Sequence, residues 1–145
     1  MVYDPSSKRV ILFGGIWENG VLNDTWAYDP AANNWVNLKP TGASPSPRWS
    51  CAMVYSPSTR QILMFGGCHE ASATAANIPD QPSTYDDLWA YDSAHNKWTP
   101  LSPSGAHPTT RGGQSMACDL DTGQVIMFAG SNSGGDLNDT WDYTP

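Results

Sequence analysis

The stretch Asn23 to Trp35, NDTWAYDPAANNW, returns as YDDLWAYDSAHNKW at Tyr85 to Trp98 and, shortened, as NDTWDYTP at Asn138 to Pro145. Each copy sets a Trp and a Tyr two residues apart: Trp26 and Tyr28, Trp89 and Tyr91, Trp141 and Tyr143. That spacing puts both rings on one face of an extended strand. In the two complete copies a turn of Asp, Ala and Asn follows, then a second Trp, which predicts strand, tight turn, strand. A single strand pair is marginal in water, so neighbouring copies must cover these rings.

Two further motifs repeat in step with the first. VILFGG at Val10 to Gly15, QILMFGG at Gln61 to Gly67 and QVIMFAG at Gln124 to Gly130 are continuous apolar runs, each ending in Gly-Gly or Ala-Gly. Such runs predict strands buried on both faces, with the glycines marking the strand end. Before them stand RWSCAMVYSPSTR at Arg48 to Arg60 and RGGQSMACDLDTG at Arg111 to Gly123; the opening MVYDPSSKR matches their second half, so Met1 aligns with Met53. Each unit therefore carries four strands, A to D. The units are expected at residues 1–38 with strand A truncated, at 48–101 complete, and at 111–145 without strand D. The equivalent residues Phe13, Phe65 and Phe128 are 52 and 63 apart, and the eleven extra residues of the second unit fall between Cys68 and Tyr85, in the B-to-C connection.

The glycine pair, the Trp-Tyr strand, the Asp-Pro turn and the second Trp resemble Kelch repeats over nearly the whole chain. The resemblance implies an all-β fold, a β-propeller of four-stranded antiparallel blades with A innermost and D outermost. Ala129 departs from the pattern by replacing the first glycine of the third copy. Fewer than three blades cannot close a ring of the usual 4 to 8. The expectation is a piece of a longer propeller, with self-association into a ring and an open fragment as the alternatives.

Composition narrows the partners. Seven Lys and Arg against fourteen Asp and Glu give a net charge of −7 with no basic cluster, which argues against nucleic acid and anionic membrane surfaces. No apolar run approaches the ~18 residues of a membrane helix, and no basic-then-apolar leader stands at the N-terminus. Cys51, Cys68 and Cys118 lack metal-ligand spacing and are read as two buried side chains and, at Cys68, a loop thiol. No metal, cofactor or catalytic set is expected: His69, His95 and His107 lie in unrelated connections, and no nucleophile elbow is present. Asp119 to Gly123 is read as a hairpin turn rather than a calcium loop.

Strand alternation puts the B-to-C and D-to-A connections on one face and the short A-to-B and C-to-D turns on the other. The long, unequal segments all fall on the first face, where a rigid scaffold usually carries its binding residues. The candidate ligand contacts there are Trp17, Arg48, Trp49, His69, Glu70, Asp80, Tyr85, His107 and Arg111. For Arg48 and Arg111, pairing with carboxylates or carbonyls between blades is the stronger expectation. By the resemblance, the chain is expected to be a non-catalytic scaffold that binds a protein partner through this face. The alternative is a carbohydrate-binding or sugar-processing propeller, of the architecture seen in galactose oxidase, with its catalytic residues elsewhere.

Overall fold

A computed structural model describes every residue except 71, 72, 74, 75, 78 and 81, all within the predicted insert. The first unit contributes β1 (Val2–Asp4), β2 (Arg9–Trp17), β3 (Gly20–Asp29) and β4 (Asn34–Asn37). The second contributes β5 (Ala52–Ser56), β6 (Gln61–Phe65), β7 (Cys68–His69), β8 (Ser83–Thr84), β9 (Leu88–Asp92) and β10 (Lys97–Leu101). The third contributes β11 (Ser115–Cys118), β12 (Val125–Phe128), β13 (Ser131–Asn132), β14 (Gly135–Asp136) and β15 (Thr140–Tyr143). Among the described residues the larger antiparallel sheets are three, in the orders β1-β2-β3-β4, β5-β6-β9-β10 and β11-β12-β15, and β7-β8 and β13-β14 form two small two-stranded ones. β5 lies against β1 on one side and β11 on the other, so the first strand of each sheet is the innermost.

Two apolar cores bond the sheets face to face. Ile11, Phe13 and Ala27 of the first meet Ile62, Met64, Tyr91 and Trp98 of the second. On its other face the second sheet turns Val54, Leu63, Phe65, Leu88 and Ala90 toward Val125 and Met127 of the third. The run Ile62 to Phe65 is apolar at every position because it divides its side chains between both interfaces. Outer faces are left open: Trp35 of the first sheet is 43% exposed and Phe128 of the third 51%.

Repeated local chemistry shapes the turns. In the A-to-B hairpins Lys8, Arg60 and Gly123 share a left-handed backbone, with φ of 56°, 56° and 75°. In two of these hairpins the leading aspartate closes the turn: Asp4 accepts from the Ser6 amide and Ser7 hydroxyl, and Asp119 from the Asp121 amide and Thr122 hydroxyl. The Asp119 carboxylate is thus occupied by its own turn. In the C-to-D hairpins Asn33 and Asn96 take φ near 48°, and their side-chain carbonyls accept from Tyr28 and Tyr91 at 2.8 Å.

Two expectations are corrected. The glycine pair ends the strand in the second and third units, where β6 stops at Phe65 and β12 at Phe128, but not in the first: β2 runs through Gly14 and Gly15 to Trp17 with a register shift after Phe13, a bulge that redirects the strand. Beyond the glycines each B-to-C connection forms a second short ladder, Gly15 to Trp17 with Gly20 to Leu22, β7 with β8, and β13 with β14. Cys68 is not a loop thiol; it is the buried one of the three, placed in β7 where the chain passes under Gly112, whereas Cys51 and Cys118 are half-buried. Burial pushes all three thiols up from their ordinary value.

Candidate functional site

The aspartate before each C-strand Trp is the centre of a repeated bracket. Asp87 accepts from both terminal nitrogens of Arg48, at 2.5 and 2.8 Å, and from the Trp89 indole at 2.7 Å. Asp139 does the same with Arg111, at 2.6 and 2.9 Å, and with Trp141 at 2.6 Å. Each arginine also donates to the carbonyl at the end of strand B, Gly66 for Arg48 and Ala129 for Arg111. Burial alone would push the Asp87 carboxyl up, but hydrogen bonds from Arg48 and Trp89 together with the guanidinium charge hold it below the usual carboxylate range. The Arg111 hydrogen bonds hold Asp139 well below that range.

The arginine side chain binds its own blade while its backbone binds the preceding one. Arg48 donates its amide to Leu22 and accepts from Gly15; Arg111 donates to Tyr85 and accepts from Gly67. This close approach explains Gly14 and Gly66, where an added Cβ would stand 2.5 Å from the carbonyls of Arg48 and Arg111. Arg48 and Arg111 are both fully buried. They are therefore supports beneath the loop face rather than side chains on it, because each guanidinium is already engaged by a carboxylate and backbone carbonyls, and that of Arg48 by the Tyr85 ring as well.

Above Arg48 the support continues outward. The Tyr85 ring stacks against the Arg48 guanidinium at 4.1 Å, and the His69 ring stacks on Tyr85 at 4.1 Å and 25°. A cleft of about 340 Å³ opens beside this column, lined by Asn19, Gly20, Val21, Pro47, His69, Glu70 and Tyr85. One wall is the tip of the β2–β3 hairpin, and the other is the base of the insert. The insert reaches back toward the hairpin, since an added Cβ on Gly20 would stand 3.9 Å from the Ala73 carbonyl, and Ala73 itself is buried. Trp17 is 60% exposed on the same hairpin.

Of the residues picked out by sequence, the fold brings His69, Glu70 and Tyr85 together in the cleft, with Trp17 on the hairpin that forms its wall. Trp49 is half-buried, its backbone tied to Cys68 in both directions at 3.0 and 2.7 Å. Asp80 is exposed and does not line the cleft. The remainder of the predicted insert, at 71, 72, 74, 75, 78 and 81, lies outside the described residues. His107 is exposed too, and lines a different space. Asn19, Val21 and Pro47 carry a single sequence signal, membership of the unequal connections.

The space at His107 is larger, about 690 Å³, and lies between the second and third blades among Phe65, Leu88, Leu101, Met127, Trp141 and Tyr143. Phe65 and Leu88 correspond to Phe13 and Thr25, and at the preceding interface those residues hold Trp98. Its size therefore reflects a blade interface with no equivalent of Trp98, and it carries less weight as a binding site than the smaller cleft. Among the described residues no three His, Cys, Asp or Glu side chains are grouped to hold a metal, and no helix is long and apolar enough to cross a membrane.

Comparison with known proteins agrees with this architecture. The chain is 25% identical over 130 residues to Tip elongation aberrant protein 1 of Schizosaccharomyces pombe, covering 89% of the chain and 10% of that protein. It is 25% identical over 125 residues to the Rho GTPase-activating protein gacHH of Dictyostelium discoideum, covering 86% and 8%. It is 28% identical over 103 residues to Mei4-dependent protein 6 of S. pombe, covering 70% and 14%. The chain thus spans about a tenth of the length of these relatives. The KLHDC2/KLHL20/DRC7 Kelch-repeats domain matches residues 1–145. With its three antiparallel sheets arranged side by side around their innermost strands, the chain belongs to the Kelch-repeat family and forms an open segment of a β-propeller.

Proposed function

We propose that this chain is a protein-binding scaffold whose contact surface is the face formed by the B-to-C and D-to-A connections, centred on the cleft between the β2–β3 hairpin and the base of the insert. The observation that carries this reading is the column His69, Tyr85, Arg48, Asp87. An accessible aromatic pair is seated on a buried, doubly paired guanidinium, so the surface it offers is held rigid before any partner arrives. Trp17 supplies an exposed aromatic anchor of the kind that dominates interface energetics. Glu70 in the cleft and Glu18 at the hairpin tip, on a chain of net charge −7, favour a partner that presents basic side chains. The blades are taken as units 1–38, 48–101 and 111–145, with the binding face built from the connections within and between them.

Site-specific photo-crosslinking in an extract of the source cells tests this. A benzophenone side chain at Trp17 or Glu70 is expected to capture a protein adduct, weakened by Tyr85→Ala. The same group at Ser7 or Thr122, in the hairpins of the opposite face, is expected to capture none. Adducts confined to positions 7 and 122 would reverse the assignment.

A further inference from the structure

Among the described residues the Arg-Asp-Trp bracket occurs twice, yet its carboxylate and indole occur three times. In the first blade Asp24 Oδ2 accepts from the Trp26 indole at 2.5 Å, as Asp87 does from Trp89 and Asp139 from Trp141. Its other oxygen, Oδ1, is buried and accepts no hydrogen bond among the described residues. In the other two blades the corresponding oxygen receives an arginine Nη1. A buried carboxylate oxygen without a donor is unfavourable, so a cation that reached Oδ1 would remove that cost. The strand-B carbonyl that completes the bracket has its counterpart too. Gly14 takes φ 58°, against 61° at Gly66 and 62° at Ala129.

We propose that Asp24, Trp26 and the Gly14 carbonyl form a receptor for the guanidinium of an arginine. The ligand is a guanidinium rather than an ammonium because both filled brackets use the planar fork, two nitrogens to two carboxylate oxygens with a third bond to a carbonyl. Arg48 and Arg111 each stand five residues before the strand-A methionine, Met53 and Met116, and Met1 aligns with these. A guanidinium can therefore arrive from a segment continuous with β1 or from a separate chain, with the same chemistry at Asp24.

Two arms separate those sources. In one, the intact chain is titrated with the peptide SPSPRWS, copied from Ser44 to Ser50, while the Trp26 indole N–H resonance is followed. In the other, a copy of Ser44 to Ala52 is joined ahead of Met1, so that its arginine falls in register. A saturable shift of the Trp26 resonance, lost with a lysine peptide and in Asp24→Asn, supports capture in trans. A melting temperature about 3 °C above that of the same extension carrying glutamine, a difference abolished by Asp24→Asn, supports capture in cis. Either result sustains the receptor. Equal melting of the arginine and glutamine extensions, together with an unmoved Trp26 resonance, overturns it.

Discussion

Trp98 of the second blade donates its indole N–H to the hydroxyl of Thr25 in the first, 3.0 Å away and closed off from solvent. The same ring meets Phe13 edge-on at 5.2 Å and Tyr91 at 4.9 Å, and it is 0% exposed. Trp98→Ala is expected to cost about 3–5 kcal/mol, the range for deleting a buried large aromatic. Thr25→Val, which leaves the indole N–H buried without an acceptor, is expected to cost about 1–3 kcal/mol. Urea unfolding measures both; Trp35→Ala, at the exposed equivalent position, should cost markedly less.

Arg48 and Asp87 respond differently to loss of the other. The Arg48 side chain is fully buried whereas that of Asp87 is 36% exposed. Asp87→Asn leaves an uncompensated charge inside the fold and is expected to cost about 3–5 kcal/mol. Arg48→Met keeps much of the buried volume and leaves a carboxylate that water can reach, so it should cost less than Asp87→Asn in the same denaturation series. The reverse order would show that packing of the arginine stem, not charge compensation, governs the bracket.

Acid should unfold the chain through these brackets. The Asp87 and Asp139 carboxyls titrate lower in the folded chain than the ordinary aspartate value of about 3.9. Between the ordinary and folded values the unfolded chain binds more protons, so the stability these residues contribute is present above about pH 4 and declines as pH falls through the folded values. Urea midpoints measured from pH 7 to pH 2 should drop below pH 4, and the drop should be smaller in Asp139→Asn.

Gly66 and Ala129 share a backbone conformation but not a neighbour. Both have φ near 61°, yet an added Cβ at Gly66 would meet the Arg111 carbonyl at 2.5 Å. Gly66→Ala is therefore expected to destabilise by more than the roughly 1 kcal/mol of left-handed backbone strain alone. Ala129→Gly relieves that strain and should raise the melting temperature slightly. Calorimetry of the pair checks both signs.

Much of this architecture was legible because its signals are local and repeated. The Trp-Tyr spacing placed β3, β9 and β15, and the unbroken run Ile62 to Phe65 reported a strand with covered faces on both sides. The structural pairing expected of Arg48 and Arg111 was legible as well, although each side chain turned out to bind within its own blade and only its backbone crosses to the preceding one. What escaped depends on contacts between distant residues. Gly14 and Gly15 looked like a strand end because sequence shows a glycine pair but not the Arg48 carbonyl packed on it. The stack of His69 on Tyr85 joins two ends of an insert, and Cys68 is buried by Gly112, a residue of the next blade's approach. The cleft wall from Asn19 to Val21 follows from a hairpin extension that no residue pattern announced.

The binding face is tested most directly by amide hydrogen exchange with the crosslink-identified partner bound and absent. Protection is predicted at Val21, His69 and Tyr85, around the cleft, with the hairpin amides of Ser6 to Lys8, Ser58 to Arg60 and Asp121 to Gly123 unchanged. Protection of those hairpins with the cleft amides unaltered would contradict it.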